Sequence, residues 1–441
     1  MTNEFDVEAF QFVEKLIEKQ IKKEETPKED KPDLKGFGKI IDLGEVSNFG
    51  FEEYDEDTYL TKRKFKDVNG KLVGLDTAQY SELKECLLKI YNNIPFFQKC
   101  DFKTLLDSTF EWLLDVYKNQ QACSNLLPFL KDKIDSLSKE YHFYFQIKAL
   151  AIEDKITVGN VEFTFFSENE IQGLYAISKE SKPERTLEEF KSIYNNYFGS
   201  ITAFVKIKGV LERANEIAFR EAELAVDVLK LFCCYYSTEK LIQMFEIDYR
   251  FMQGSSTQYL QLPNGDIKDS TIRIKNLSGN VPVQLTNDFI KKAEVVGLNT
   301  FSQFIKDKKE TELYFITIDL IRQLSTIIST QNNYEKTVKS ISLFESFCVP
   351  KNSFQAKGET ILKKKIIPKL FSNKNTETLS GLIRKHYEIR DKYLHNYIQL
   401  PLNKKELAIL LEYQRFFILK IIDLNKQFVS LTDILTYFDI Q

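Results

Sequence analysis

"IRKHYEIRDKYLHNY", residues 383–397, holds His386 and His395, two of the three histidines in a chain of 441 residues, and Arg384 and Arg390, two of its ten arginines. With Leu379 at zero on a helical wheel that advances about 100° per residue, Leu382, Ile383, His386, Tyr393 and Leu394 fall within roughly 60° of it. They form one apolar stripe, and Arg390 lands near its middle. A guanidinium stays charged at physiological pH and is costly to bury unpaired. Arg390 must therefore snorkel to water, find a carboxylate, or face a cleft where an anion arrives. Glu345, set among apolar residues in "SLFESF", is a candidate internal partner. On the same wheel His395 points about 160° away from Leu379, so one straight helix does not bring Arg390 and His395 together. A bend, a helix end near Leu394, or a second copy of the chain would be needed. Asp391 precedes His395 by four residues, within reach of the imidazole on a helix.

Four helical patterns dominate the sequence from about residue 286. They are "TELYFITIDLIRQLSTIIST", "YEKTVKSISLFESF", "TETLSGLIRKHYEIRDKYL" and "KKELAILLEYQRFFILKII". Short connections between them predict an antiparallel bundle. Asn403 with Glu406 three residues on predicts a capping box at the start of the last one. Upstream, the patterning is mixed. "SELKECLLKIYNNI" and "TLLDSTFEWLLDVY" have helical spacing, whereas "HFYFQIKALAI" alternates as a half-buried strand does. Gly159-Asn160 between apolar runs marks a hairpin. "ITAFVKIKGV" reads as a strand, followed by Ala214, Ala218, Ala222, Ala225 and Leu229 on one face of a long helix. "YLQLP" and "STIRIKN" read as short strands around a turn at Pro263-Asn264-Gly265.

The expected fold class is α+β: an N-terminal region of mixed antiparallel sheet and helix, then an all-α C-terminal bundle. Four segments follow from the composition. Residues 1–35 form an arm with an amphipathic helix at Phe10, Val13, Ile17 and Ile21 and a charged, proline-containing linker, the apolar stripe docking on its own body. Residues 36–185 form an α+β domain, 186–285 a middle α/β segment, and 286–441 the bundle. "GFGKIIDLG" at 36–44 lacks the third glycine and preceding strand of a dinucleotide site.

A formal net charge of −3 excludes a surface built throughout for polyanions. Residues 351–420, however, carry fifteen Lys/Arg against six Asp/Glu, a net +9. A basic region beside an Arg/His cluster suits phosphate-ester chemistry: arginine grips anionic oxygens in bidentate fashion, and histidine moves a proton near neutral pH. A solvated lysine-rich face is the plainer reading of the same charge. The six cysteines contain no C-x-x-C pair and read as reduced thiols. The N-terminus lacks a signal-peptide core, and no apolar run nears the roughly 18 residues of a membrane span. The expectation is a cytoplasmic protein with no membrane partner.

"RDKYLH" fits R-(polar)-x-x-x-H, and here the chain resembles the HEPN superfamily of metal-independent endoribonucleases, in particular its Apea-like group. "EKTVKSISLFESFCV" resembles that group's apolar helix with an internal Glu, "IIPKLF…LIRKHYEIRDKYLHNYI" its motif helix, and "KKELAILLEYQRFFILKII" its closing helix. "ITAFVKIKGVLERANEIAFREAELAVDVLKL" resembles the strand and Ala-rich helix preceding the bundle. The resemblance covers about 200–441, and His395-Asn396 departs from the His-Gly of many members.

The resemblance implies a helical bundle that dimerises so that two motif helices share one cleft, with RNA, tRNA included, as substrate and neither cofactor nor metal. Arg390 would bind the scissile phosphate, His395 would act as general acid/base, and Asp391 would orient it. His386, Lys392, Tyr393 and Asn396 would be weaker substrate contacts. Bacterial anti-phage defence is the implied setting, with a phage-derived or protein trigger acting at the N-terminal region. Two rivals stand beside it. One is a catalytically silent HEPN-type scaffold that binds RNA or protein. The other is a purely structural cluster in which Arg390 is buried against Glu345.

Overall fold

A computed structural model of the chain describes residues 5, 9, 11–12, 17–19, 51–55, 60–66, 72–75, 77–119, 125–166, 200–239, 242–248, 281–348 and 358–440. The fold class is α+β, with helices and antiparallel sheet in the N-terminal half and mostly helices towards the C-terminus. The chain divides into two compact units, residues 1–141 with 208–216, and residues 142–207 with 217–441.

The first unit holds a four-stranded antiparallel sheet in the order β1 (Ile17–Lys19), β4 (Leu72–Leu75), β3 (Leu60–Lys66), β2 (Phe51–Asp55). Its helices are α1 (Thr77–Asn93), α2 (Phe102–Asn119) and α3 (Leu126–Leu137). Their apolar stripes bury Leu87, Ile90, Leu105, Phe110, Trp112, Leu130 and Ile134 in one core. Ala9 and Phe12 of the arm join that core, although neither belongs to the stripe expected to dock. The expected arm helix, however, does not reach Ile17, which pairs with Gly74 in β1. Ladder pairing with β4 overrides the helical spacing of the apolar residues there. Phe10, Val13 and Ile21, the glycine-rich stretch at 36–44, "YLQLP", "STIRIKN" and the turn at 263–265 lie outside the described residues.

In the second unit a five-stranded sheet runs β11 (Glu246–Ile247), β5 (Lys139–Lys148), β9 (Ile201–Gly209), β8 (Val161–Phe165), β7 (Ile156–Val158). The alternation read in "HFYFQIK" holds, with Phe145 and Ile147 buried. The hairpin between β7 and β8 turns at Gly159, whose φ of 63° favours glycine and where an added Cβ would press on the Ile305 side chain. Ala149, at φ 58°, breaks the strand before β6 (Leu150–Ile152). β6 then leaves for a separate three-stranded sheet with β12 (Val281–Leu285) and β10 (Ile242–Gln243), and both of these pairings are parallel. The sequence reading expected antiparallel sheet in this region. Parallel pairing arises because long connections, including α4 (Leu211–Lys230), separate the partners in the chain.

The alanine stripe of α4 is fully buried, and its small side chains let the helix sit close to its neighbours. α5 (Asn287–Val295) and α6 (Leu298–Lys306) lead into α7 (Glu312–Ser329), α8 (Asn333–Cys348), α9 (Gly358–Ile361), a π-wound turn (Leu362–Ile366), α10 (Ile367–Leu370), α11 (Asn373–Asn396), α12 (Lys404–Leu424) and α13 (Leu431–Tyr437). The four strong helical patterns become α7, α8, α11 and α12. α8 packs on α7, α11 and α12, where Phe344 and Phe347 meet Phe417 edge-on at 5.4 and 5.3 Å. One continuous core takes in Phe145 and Val205 of the sheet, Ala222 of α4, and Ile321, Phe344, Ile383 and Ile418 of the bundle. The segment limits read at 185 and 285 therefore do not separate hydrophobic cores. Asn403 caps α12 by accepting from the N–H groups of Lys405 and Glu406, but the Glu406 carboxylate goes to Lys385 at 2.5 Å. Only half of the expected capping box forms there.

Lys336 of α8 is fully buried, and its ammonium donates to the carbonyls of Ser237 and Ile328 with no carboxylate against it among the described residues. Burial pushes its pKa down to about 8. Between about 8 and 10.5 the folded lysine is neutral while the unfolded one keeps its proton, so the unfolded chain binds more protons and stability rises with pH. Relative to Lys336→Met, the wild type should therefore gain on the order of 3 kcal/mol across that window, read by denaturant unfolding. A stability difference that does not change with pH would show that the ammonium stays charged in the fold.

Candidate functional site at the end of the motif helix

α11 is continuous from Asn373 to Asn396 and does not stop at Leu394. Its buried face carries Leu379, Ile383, His386, Tyr387 and Ile389; of the stripe expected from the wheel, Leu382 and Tyr393 are only half-buried and Leu394 is 46% exposed. The helix is closed by Tyr397 in the left-handed conformation at φ 56°, with the N–H groups of Tyr397 and Ile398 both reaching the Lys392 carbonyl. A glycine commonly takes this place because it has no Cβ to clash. Here an 89% exposed tyrosine does so, which is how the chain turns after His395-Asn396.

Arg390 has found its carboxylate. Its Nη1 donates to Glu345 Oε2 of α8 at 2.8 Å, and its side chain is 18% exposed. Glu345 Oε1 accepts from the Tyr387 hydroxyl at 2.9 Å, and the guanidinium carbon lies 4.6 Å from the centre of the Tyr387 ring. The other edge of the guanidinium, Nε and Nη2, meets Asp391 Oδ1 at 3.0 Å from each nitrogen. Burial disfavours the charge of Arg390, but the hydrogen bonds and attraction of Glu345 and Asp391 outweigh it, and its pKa is raised.

His395 sits in the last turn with an exposed side chain and no hydrogen bond to any described residue. Five helical positions separate it from Arg390, placing the two roughly 140° apart around the axis. Within one chain they diverge. Asp391, expected to orient His395, turns instead to the adjacent arginine, whose full charge is the stronger attraction.

His386 requires a second correction. It is 1% exposed, so no polymer substrate can touch it. Its Nδ1–H donates to the Leu382 carbonyl at 2.9 Å, and Nε2 is buried without a partner. Burial lowers its pKa, which keeps the ring neutral. Tyr393 stacks on Tyr334 at 5.4 Å and 16°, and the Tyr334 hydroxyl donates to the Leu400 carbonyl, tying the connection after α11 to the start of α8. Lys392 and Asn396 are exposed and have no partner among the described residues. Leu394, Tyr397 and Ile398 are large apolar side chains left exposed around His395.

Much of the positive charge read in residues 351–420 is already used. Lys363 pairs with Glu359, Lys369 with Asp439, Lys385 with Glu406, and Lys404 with Glu239. Lys365 donates to the Asp439 carbonyl at 2.5 Å. Arg415 is buried, its guanidinium 4.8 Å from the Phe232 ring centre. Lys364, Arg384, Lys392, Lys405 and Lys420 are exposed without a partner among the described residues. Two of them, Arg384 and Lys392, share the exposed face of α11 with His395. Glu239 and Asp439 lie outside residues 351–420, so charge counting within that stretch could not foresee those two pairs.

A cavity of about 480 Å³ lies elsewhere in the second unit, lined by α6 residues including Asn299, Gln303 and Phe304 and by Ile422 and Asn425 from the end of α12. None of the residues singled out in α11 lines it. Among the described residues no cluster of His, Cys, Asp or Glu could hold a metal ion, and no helix is long and apolar enough to cross a membrane.

Comparison with known proteins adds no relative: the chain matches no protein-family model, no curated protein and no solved structure.

Removing one partner of a half-buried pair strands the other. Glu345→Ala and Arg390→Ala should each lower unfolding stability by about 2 kcal/mol, and the double variant should lose less than the sum by about 1 kcal/mol. Strictly additive losses would show that the pair contributes nothing to holding α8 against α11.

Proposed function

We propose that this chain is a HEPN-type endoribonuclease that cuts RNA without a metal, with its cleft completed by a second copy of itself. The observation that supports this reading is the end of α11. A positioned arginine and a freely exposed histidine diverge in the single chain, and Leu394, Tyr397 and Ile398, next to the histidine in sequence, are left uncovered. Apolar side chains uncovered beside polar chemistry suit contact with another chain. A twofold arrangement of two such helix ends would set the His395 of one copy beside the Arg390 of the other.

In that cleft the 2′-hydroxyl of a ribose attacks the adjacent phosphorus. The 2′-O–P bond forms, the bond to the 5′-oxygen breaks, and the products are a 2′,3′-cyclic phosphate and a 5′-hydroxyl end. His395 takes the 2′-hydroxyl proton or supplies one to the leaving oxygen, and Arg390 stabilises the charge that develops on the phosphoryl oxygens. Arg384 and Lys392, free cations on the same helix face, would guide the RNA backbone. The N-terminal unit is read as the part that senses a phage-derived or protein trigger, in a cytoplasmic defence protein that attacks tRNA or other cellular RNA.

A scaffold without activity is the second reading. Two carboxylates on Arg390 favour it, because they already balance the charge that phosphate would need. The full-length protein incubated with total tRNA in EDTA should yield ends bearing 2′,3′-cyclic phosphate, and His395→Ala and Arg390→Ala should each reduce the rate by at least about a hundredfold. Cleavage that survives both substitutions would discard the site. Salt-sensitive RNA binding with no cyclic-phosphate product would favour the scaffold.

A further inference from the structure

The two carboxylates on Arg390 are not equivalent. Glu345 approaches Nη1 from α8, is itself held by the Tyr387 hydroxyl, and is only partly exposed. Asp391 approaches the opposite edge through a single oxygen, is 53% exposed, and has no other partner among the described residues. Neighbouring residues on a helix point about 100° apart, so this contact depends on side-chain rotamers alone. An exposed pair of this kind is weak and screened by salt. Yet Nε and Nη2 form the edge of a guanidinium best matched to two oxygens of a phosphate. The site as folded thus presents its phosphate-binding edge already covered, by a carboxylate that little holds in place.

We propose that Asp391 is an internal competitor for the phosphate of RNA: it covers the Nε–Nη2 edge of Arg390 until a phosphodiester displaces it, while Glu345 and Tyr387 keep the guanidinium in position. This rests on the nuclease reading for the identity of the anion, and it assigns Asp391 a different task from orienting His395. Glu345 and Tyr387 are positioning residues in this scheme. With Asp391 in place, one positive charge faces two negative ones and the edge repels phosphate. With Asp391 swung into water, the pair Arg390–Glu345 is neutral and the free edge attracts it. The weakness of the Asp391 contact is therefore what makes the exchange possible, and the firmness of the Glu345 contact is what keeps the arginine aimed.

The test separates binding from cleavage. With full-length protein and a 2′-O-methyl RNA oligonucleotide, which cannot be cut, Asp391→Asn should bind about fivefold more tightly than wild type. The gain should vanish when Arg390→Ala is also present. Wild-type and Asp391→Asn proteins with equal affinity would overturn the proposal. So would a gain that persists without Arg390, because it would then come from net charge alone. On cleavable RNA, Asp391→Asn should lower KM by about fivefold, in line with its tighter binding; turnover lost at unchanged affinity would return Asp391 to a role on His395 and overturn the competitor role. Absence of cleavage by every form, with the affinity pattern intact, would remove the nuclease reading and leave the competition standing.

Discussion

A guanidinium on an apolar seam is the constraint around which the C-terminal half is arranged. α11 must bury Leu379, Ile383, Tyr387 and Ile389 to join the core, and that rotation carries Arg390 into the seam with α8. The charge can enter only because Glu345 is waiting there at 2.8 Å. Glu345 in turn fixes the Tyr387 hydroxyl, whose ring lies against the same guanidinium. The apolar face thus sets the rotation of α11, and the ionic contact satisfies the charge that this rotation brings against α8. The exposed face of the helix, with Arg384, Lys392 and His395, follows from that rotation.

The same rotation explains why the single chain does not form a compact catalytic group. A continuous helix holds positions 390 and 395 on different sides, and α11 runs unbroken through both. Under the proposed reading, a second copy would supply what a bend would have joined. The connection after the helix supports this separation of roles. Tyr397 turns the backbone in a conformation that costs a tyrosine more than a glycine, and Tyr334 and Tyr393 clamp the following segment by stacking and by the hydrogen bond to Leu400. The effect is an end whose backbone is held by these contacts while its side chains stay exposed.

Charge behaves differently in the fold from how it behaves in a count. Of the positive charges counted over residues 351–420, only a few stay as free cations among the described residues, since Asp439 and Glu239 from outside the stretch and Glu406 and Glu359 from within it each hold a lysine. Those that remain, Arg384 and Lys392 among them, are fewer but better placed, since they share a helix face with His395. An anion would meet this strip and not a uniformly basic surface.

The sequence by itself determined the helices of the bundle, the alternation of β5, the hairpin at Gly159 and the alanine face of α4, because each is a local periodicity or a local backbone requirement. It also determined that Arg390 lies on an apolar stripe and offered Glu345 as its partner, since the wheel fixes angles within one helix. Other features were decided only by tertiary structure. β1 pairs Ile17 with Gly74 where helical spacing had suggested a longer arm helix, β12 and β6 run parallel, His386 is sealed from solvent, and Asp391 turns to Arg390 in place of His395. Each depends on a partner or a rotamer that spacing does not encode. Periodicity gives a side chain its direction from the helix axis, but which charge or backbone edge meets it there is settled by the packing of segments far apart in the chain.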